Sequence, residues 1–154
     1  MKSAKSAKSV KSVKSAKSTK TMKTMKTMKR SIYSAIVPTF LGMLNTVKLY
    51  HWRTTSFATH KATDQLYADL NAKVDTFVET LLGTQSRANI LSMGRTISVQ
   101  TNTDLKKTMA SYKQFLMRLS TDPQFNIAAN TDLLAQRDEL LAVINQFLYL
   151  ITLN

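Results

Sequence analysis

Between Ser31 and Asn154 apolar side chains recur at spacings of three and four, the signature of helices that each bury one face. Tyr33, Val37, Phe40, Leu44, Val47 and His51 mark a first helix running to about Thr54. Pro38 suits a first turn and would kink a helix interior, so it and Gly42 blur where that helix starts. A second helix, from about Ala58 to Leu82, carries Leu66, Leu70, Val74, Val78 and Leu81, with Gly83 placed for its C-terminal cap. A third carries Leu105, Met109, Tyr112, Leu116 and Leu119 and stops before Pro123. The fourth begins near Thr131, has Asp132 in its first turn, and repeats Leu133, Arg137, Leu140, Ile144, Phe147 and Ile151 along one face. The only candidate strand is Ile97–Val99.

The connections separate the possible bundles. The first is a few residues around Thr55–Phe57 and the third about ten, whereas the middle one extends from Thr84 to Thr103. Twenty residues easily cover the ~37 Å of a 25-residue helix, so helices two and three can run parallel. One long crossover between short loops predicts an all-α, ferritin-like four-helix bundle. A plain up-and-down bundle with a slack loop is the alternative.

Charge changes this picture at one end only. Of the 22 Lys and Arg, eleven fall in residues 1–30, which contain no acid, leaving eleven against nine Asp and Glu in residues 31–154. The chain divides accordingly into a Lys-rich low-complexity arm, 1–30, and a helical domain, 31–154. Lys2, Lys5, Lys8, Lys11, Lys14, Lys17, Lys20, Lys23, Lys26 and Lys29 recur at every third position, followed by Arg30. A period of three on a 3.6-residue helix winds the lysines around every side and leaves no apolar stripe, so a disordered or extended arm is expected. Its natural partners are polyanions, DNA or RNA, held through phosphates without base reading. The Ser or Thr beside each Lys would let phosphorylation weaken that binding. A solubilising or nuclear-import tail and an organelle transit peptide are the competing readings of the arm.

There is no cysteine, which excludes disulfides and Cys-based zinc sites, and no apolar run approaches the roughly 20 residues that span a bilayer. The expectation is an intracellular protein without a membrane partner, cytoplasmic or nucleoid-associated, or packaged in a virion.

The candidate chemistry lies at the first turn and on the second helix. The two histidines are His51 and His60; Asp64, Asp75 and Glu79 then follow at steps of four, eleven and four. At about 100° per residue, the side chains from His60 to Glu79 share roughly a 100° sector. Placing Asp75 and Glu79 four residues apart destabilises an isolated helix by a few tenths of a kcal/mol unless a cation lies between them. Imidazole with carboxylate suits iron, and also zinc or manganese. An intrasubunit di-iron site is excluded, since residues 31–57 contain no acid and no Glu-x-x-His motif exists. Asp64 and Asp75 are also about 16 Å apart along a helix axis, too far to share an ion. A second copy removes the difficulty. If helix two pairs antiparallel with its own copy near Asp69, His51, His60 and Asp64 of one chain meet Asp75 and Glu79 of the other.

His51-Trp52 closing a first helix, His60-x-x-x-Asp64, an eleven-residue step and Asp75-x-x-x-Glu79 together resemble the inter-subunit ferroxidase centre of Dps miniferritins, including the Dps-like proteins of phages and large viruses. The resemblance is close over residues 49–83 and loose over 31–154. It implies a dimer-built hollow dodecamer that oxidises ferrous iron with peroxide or dioxygen and stores the ferric mineral. Some members condense DNA with a lysine-bearing arm. Asp75 and Glu79 would be the primary metal ligands, His51 and His60 would complete the coordination, and Asp64 would hold a second ion directly or through water. The nine residues from His51 to His60 are fewer than the family's usual interval. The competing readings are a non-catalytic DNA-condensing or virion-packaging protein of the same fold, and a monomeric helical interaction module.

Overall fold

The computed structural model describes residues 31–87, 104–125 and 127–153. The arm 1–30 and Ile97–Val99 lie outside the described residues. Four helices account for nearly all of what is described: α1 (Tyr33–Arg53), α2 (Phe57–Thr84), α3 (Leu105–Arg118) and α4 (Thr131–Leu150), with a single 3₁₀ turn, Ile127–Ala129, leading into α4.

The helix ends follow local chemistry. Ser56 caps α2 by accepting from the Thr59 N–H at 3.3 Å, and Asp104 caps α3 by accepting from the Lys107 N–H at 3.0 Å. Pro38 lies inside α1 rather than in its first turn, so the Ser34 carbonyl loses its usual i+4 donor. Gly83 is not the cap of α2. It is an ordinary helical residue with open space where a Cβ would sit, and the helix ends one residue later, the Gln85 N–H donating to the Leu81 carbonyl.

Side-chain contacts fix the direction of each helix. Lys48 of α1 meets Asp64 of α2, while Lys73 and Thr80 of α2 meet Glu139 and Gln136 of α4, so α2 is antiparallel to both neighbours. Thr46 and Phe40 of α1 meet Tyr112 and Phe115 of α3, which makes that pair antiparallel too. Helices α2 and α3 therefore run parallel on one diagonal of the square, and the chain between them must return along the bundle. This is the ferritin-like arrangement, an all-α bundle with one long crossover.

The core joins Ile36, Phe40, Met43, Leu44 and Val47 of α1 to Leu66, Leu70, Val74, Phe77 and Leu81 of α2, and to the expected faces of α3 and α4. On α1 and α2 the buried stripe is rotated slightly from the expected one. Val37 and Val78 are half-buried, and Ile36 and Phe77 take the centre. Phe40 meets Phe77 edge to face, with centroids 5.2 Å apart. Each fully buried Leu or Phe contributes about 1.5–3 kcal/mol. Among the described residues no helix is long and apolar enough to cross a membrane.

Candidate metal centre

Three residues, Thr54–Ser56, connect α1 to α2, and that brevity brings the last turn of one helix against the first turn of the other. His51 enters from α1 and is buried; His60 enters from α2 and is half-buried. Their rings stack with centroids 3.8 Å apart and planes 26° from parallel. His51 Nδ1 lies 3.1 Å from the His60 carbonyl oxygen, and His60 Nδ1 lies 3.1 Å from the His51 carbonyl oxygen. A carbonyl only accepts, so both Nδ1 atoms carry the proton and donate. With Nδ1 of each ring engaged by a backbone carbonyl, Nε2 is the ring nitrogen left to face a metal, the arrangement that orients many metal-ligating histidines.

Thr63 completes the clamp. Its buried hydroxyl donates to the Thr59 and His60 carbonyls at 2.8 and 3.0 Å and lies 3.3 Å from His51 Nδ1, a second acceptor for that N–H. Asp64 Oδ1 stands 3.9 Å from His51 Nε2, so this end of the hairpin gathers two imidazoles and a carboxylate.

Asp75 and Glu79 are on the same helix and exposed, but about three and four turns further along. They do not meet the histidines of their own chain. Among the described residues no group of three or more His, Cys, Asp or Glu is placed to hold a metal ion. One chain thus keeps the five candidate residues in two separated groups, His51 of α1 with His60 and Asp64 of α2 at the turn, and Asp75 with Glu79 further along α2.

Lys48 is a functional candidate that sequence reasoning missed. Its Nζ lies 3.9 Å from Asp64 Oδ1, 4.8 Å from the Tyr67 ring centre and 5.9 Å from that of Trp52. The signal was present in its position three residues before His51, on the same side of α1. Trp52 is 67% exposed, so it does not pack into its own chain, whereas Tyr50 and Tyr67 pack against the core. The expected nucleic-acid ligands from Lys2 to Arg30 lie outside the described residues.

A family model described as a family of unknown function, DUF5856, matches residues 51–151, a span that begins at His51 and takes in all five candidate site residues. No curated protein and no solved structure matches the chain.

Proposed function

The chain belongs to DUF5856, and we propose that it is a Dps-like iron-binding and iron-oxidising protein whose sites are completed between two copies, with nucleic acid held by its basic arm. The observation that supports the reading is the reciprocal bonding of His51 and His60, which engages each Nδ1 with a backbone carbonyl and leaves each Nε2 to face a ligand, with Asp64 beside His51. Such order is costly to build for a surface hairpin without a ligand, because each ring gives up its rotamer freedom.

The missing carboxylates come from a second copy. A two-fold axis crossing α2 between Asp69 and Leu70 sets Asp64 of one chain opposite Asp75 of the other, and the same axis sets His60 opposite Glu79. Both pairings arise from one register. Two equivalent sites result, each with two imidazoles and three carboxylates, a donor set suited to ferrous iron and its harder ferric product. Iron is the substrate there. With peroxide as oxidant, each of two ferrous ions gives up one electron, the O–O bond breaks, and two protons from solvent complete two waters. The carboxylates stabilise the added positive charge on the product. Lys48 balances Asp64 and must swing outward as a cation arrives.

Lys48 is also the one observation that favours a second reading, a DNA-condensing or virion-packaging protein that keeps the bundle without turnover. A cation already beside Asp64 weakens the case for another. Metal content and oligomer mass on one purified sample separate the two: bound iron in a multiple of a dimer supports the first, an iron-free assembly the second. For the first reading, ferrous oxidation is expected to be lost in Asp75→Ala/Glu79→Ala. An unchanged rate would remove it. For the arm, deleting residues 2–30 is expected to abolish a DNA gel shift at low salt, and equal retention by the truncated protein would count against it.

A further inference from the structure

Charge in the bundle is sorted by layer. Helices α1 and α3, which are neighbours, carry six Lys and Arg and no acid, whereas α2 and α4 carry seven acids and three Lys and Arg. The near-neutral body conceals this division. Four of the six cations are on α3: Lys106, Lys107 and Arg118 are exposed and Lys113 is half-buried. Among the described residues the ion pairs engage Lys48, His51, Lys73 and Arg137, and none of these four. Asp104 and Asp122 flank the helix, but their carboxylates accept from the Lys107 and Gln124 backbone N–H groups at 3.0 and 2.9 Å.

The arm joins the bundle at the far end of this helix. The Ile32 N–H donates to Gln124 Oε1 at 3.1 Å, and the Tyr33 ring stacks on Phe125 with centroids 5.6 Å apart, both partners lying in the turn that follows Arg118. Arg30 is two residues from Ile32, within about 7 Å of chain.

We propose that the outer face of α3, through Lys106, Lys107, Lys113 and Arg118, is a second nucleic-acid surface that continues the track of the arm along duplex DNA. The inference rests on the reading that the arm binds nucleic acid and adds a rigid contact on the body. From Lys106 to Arg118 the helix rises about 18 Å, a length over which a duplex presents roughly ten phosphate charges. The exposed positions between the cations are Ala110, Ser111, Gln114 and Met117, with no aromatic ring on which an unpaired base would stack. A duplex held by its phosphates fits this face better than a single strand.

The test is the salt dependence of binding by the full-length protein to a random-sequence duplex and to a single strand of equal length. In Lys106→Gln/Lys107→Gln/Lys113→Gln/Arg118→Gln the duplex slope of log K against log salt is expected to become shallower by about 3–4, four contacts at roughly 0.9 each. Lys106→Arg/Lys107→Arg/Lys113→Arg keeps the charge and is expected to keep the slope, with thermal melting showing both variants folded. A glutamine variant that retains the full duplex slope overturns the proposal. So does a loss confined to the single strand. A wild-type protein that binds no duplex at low salt sinks this surface and the reading of the arm together, whereas a full-length protein with its arm lysines changed to glutamine reports the contribution of the arm separately.

Discussion

His51 and His60 each donate an Nδ1 hydrogen to the other's backbone carbonyl, both at 3.1 Å, so the two rings constrain one another across the α1–α2 turn. The buried member carries more of the strain when removed. His51→Ala is expected to cost about 1–3 kcal/mol, since the His60 carbonyl and Thr63 lose a buried donor, and His60→Ala about 1 kcal/mol. Urea unfolding midpoints check the order. Binding of cobalt, used as a spectroscopic probe, is expected to weaken in both variants; a cobalt spectrum indifferent to both would contradict the assignment of Nε2 as ligand.

Lys48 competes for the space a metal would take. Lys48→Met is expected to change stability by less than about 1 kcal/mol, as for other exposed ion pairs. It is expected to tighten divalent-metal binding by about fivefold, the equivalent of ~1 kcal/mol between unit charges 4 Å apart in water. Calorimetric titration with cobalt reads both sign and size, and weaker binding would show that Lys48 assists rather than opposes the cation.

Between α1 and α3, the Thr46 hydroxyl donates to the Gly42 carbonyl at 2.6 Å and so accepts from the Tyr112 hydroxyl at 3.1 Å. Burial raises the Tyr112 phenol above its ordinary 10.0, with the hydrogen bond to Thr46 pulling the other way. Because the folded value is the higher one, the contribution to stability is complete below pH 10 and is lost as pH climbs through the folded value. Tyr112→Phe is expected to flatten that alkaline part of the stability curve. Thr46→Val, which leaves the phenol without its acceptor, is expected to cost about 1–3 kcal/mol at neutral pH. Chemical denaturation across pH 8–12 separates these effects.

Leu70 is fully buried at the middle of α2. Leu70→Ala is expected to cost about 2–5 kcal/mol through lost transfer energy and the cavity left behind. It lies between Asp64 and Asp75 on the opposite side of the helix, so the exposed acids stay in place. A denaturation midpoint that did not fall would mean the bundle closes over the space.

Much of the bundle was legible because its helices have one buried stripe each. The apolar positions expected on α3 and α4 are all buried, from Leu105 to Leu119 and from Leu133 to Ile151, while Arg137, expected on the same α4 face, is half-buried at its edge. The phase of α1 and α2 was harder, because Ile36 beside Val37 and Phe77 beside Val78 are equally apolar and periodicity alone does not rank neighbours. Gly83 misled because a glycine near a helix end costs little inside the last turn as well as after it. Of the site, the shared face of His60, Asp64, Asp75 and Glu79 could be computed from spacing. The stacking of His51 on His60 could not, since it depends on how tightly a three-residue turn folds. Lys48 escaped because its position three residues before His51 takes on meaning only once Asp64 and Tyr67 of the next helix are known to stand beside it. The sorting of charge between α1 with α3 and α2 with α4 became visible only when the helices were assigned to sides of a square.

The diagonal placement of α2 and α3 has a consequence for assembly of the chain itself. Each half of the molecule, α1 with α2 and α3 with α4, is a hairpin that makes its own contacts locally but leaves half a core bare. Cleavage of the backbone between residues 88 and 103 would therefore yield two fragments that regain structure only on meeting. Their joint refolding would follow second-order kinetics, and each would serve as a detector of the other.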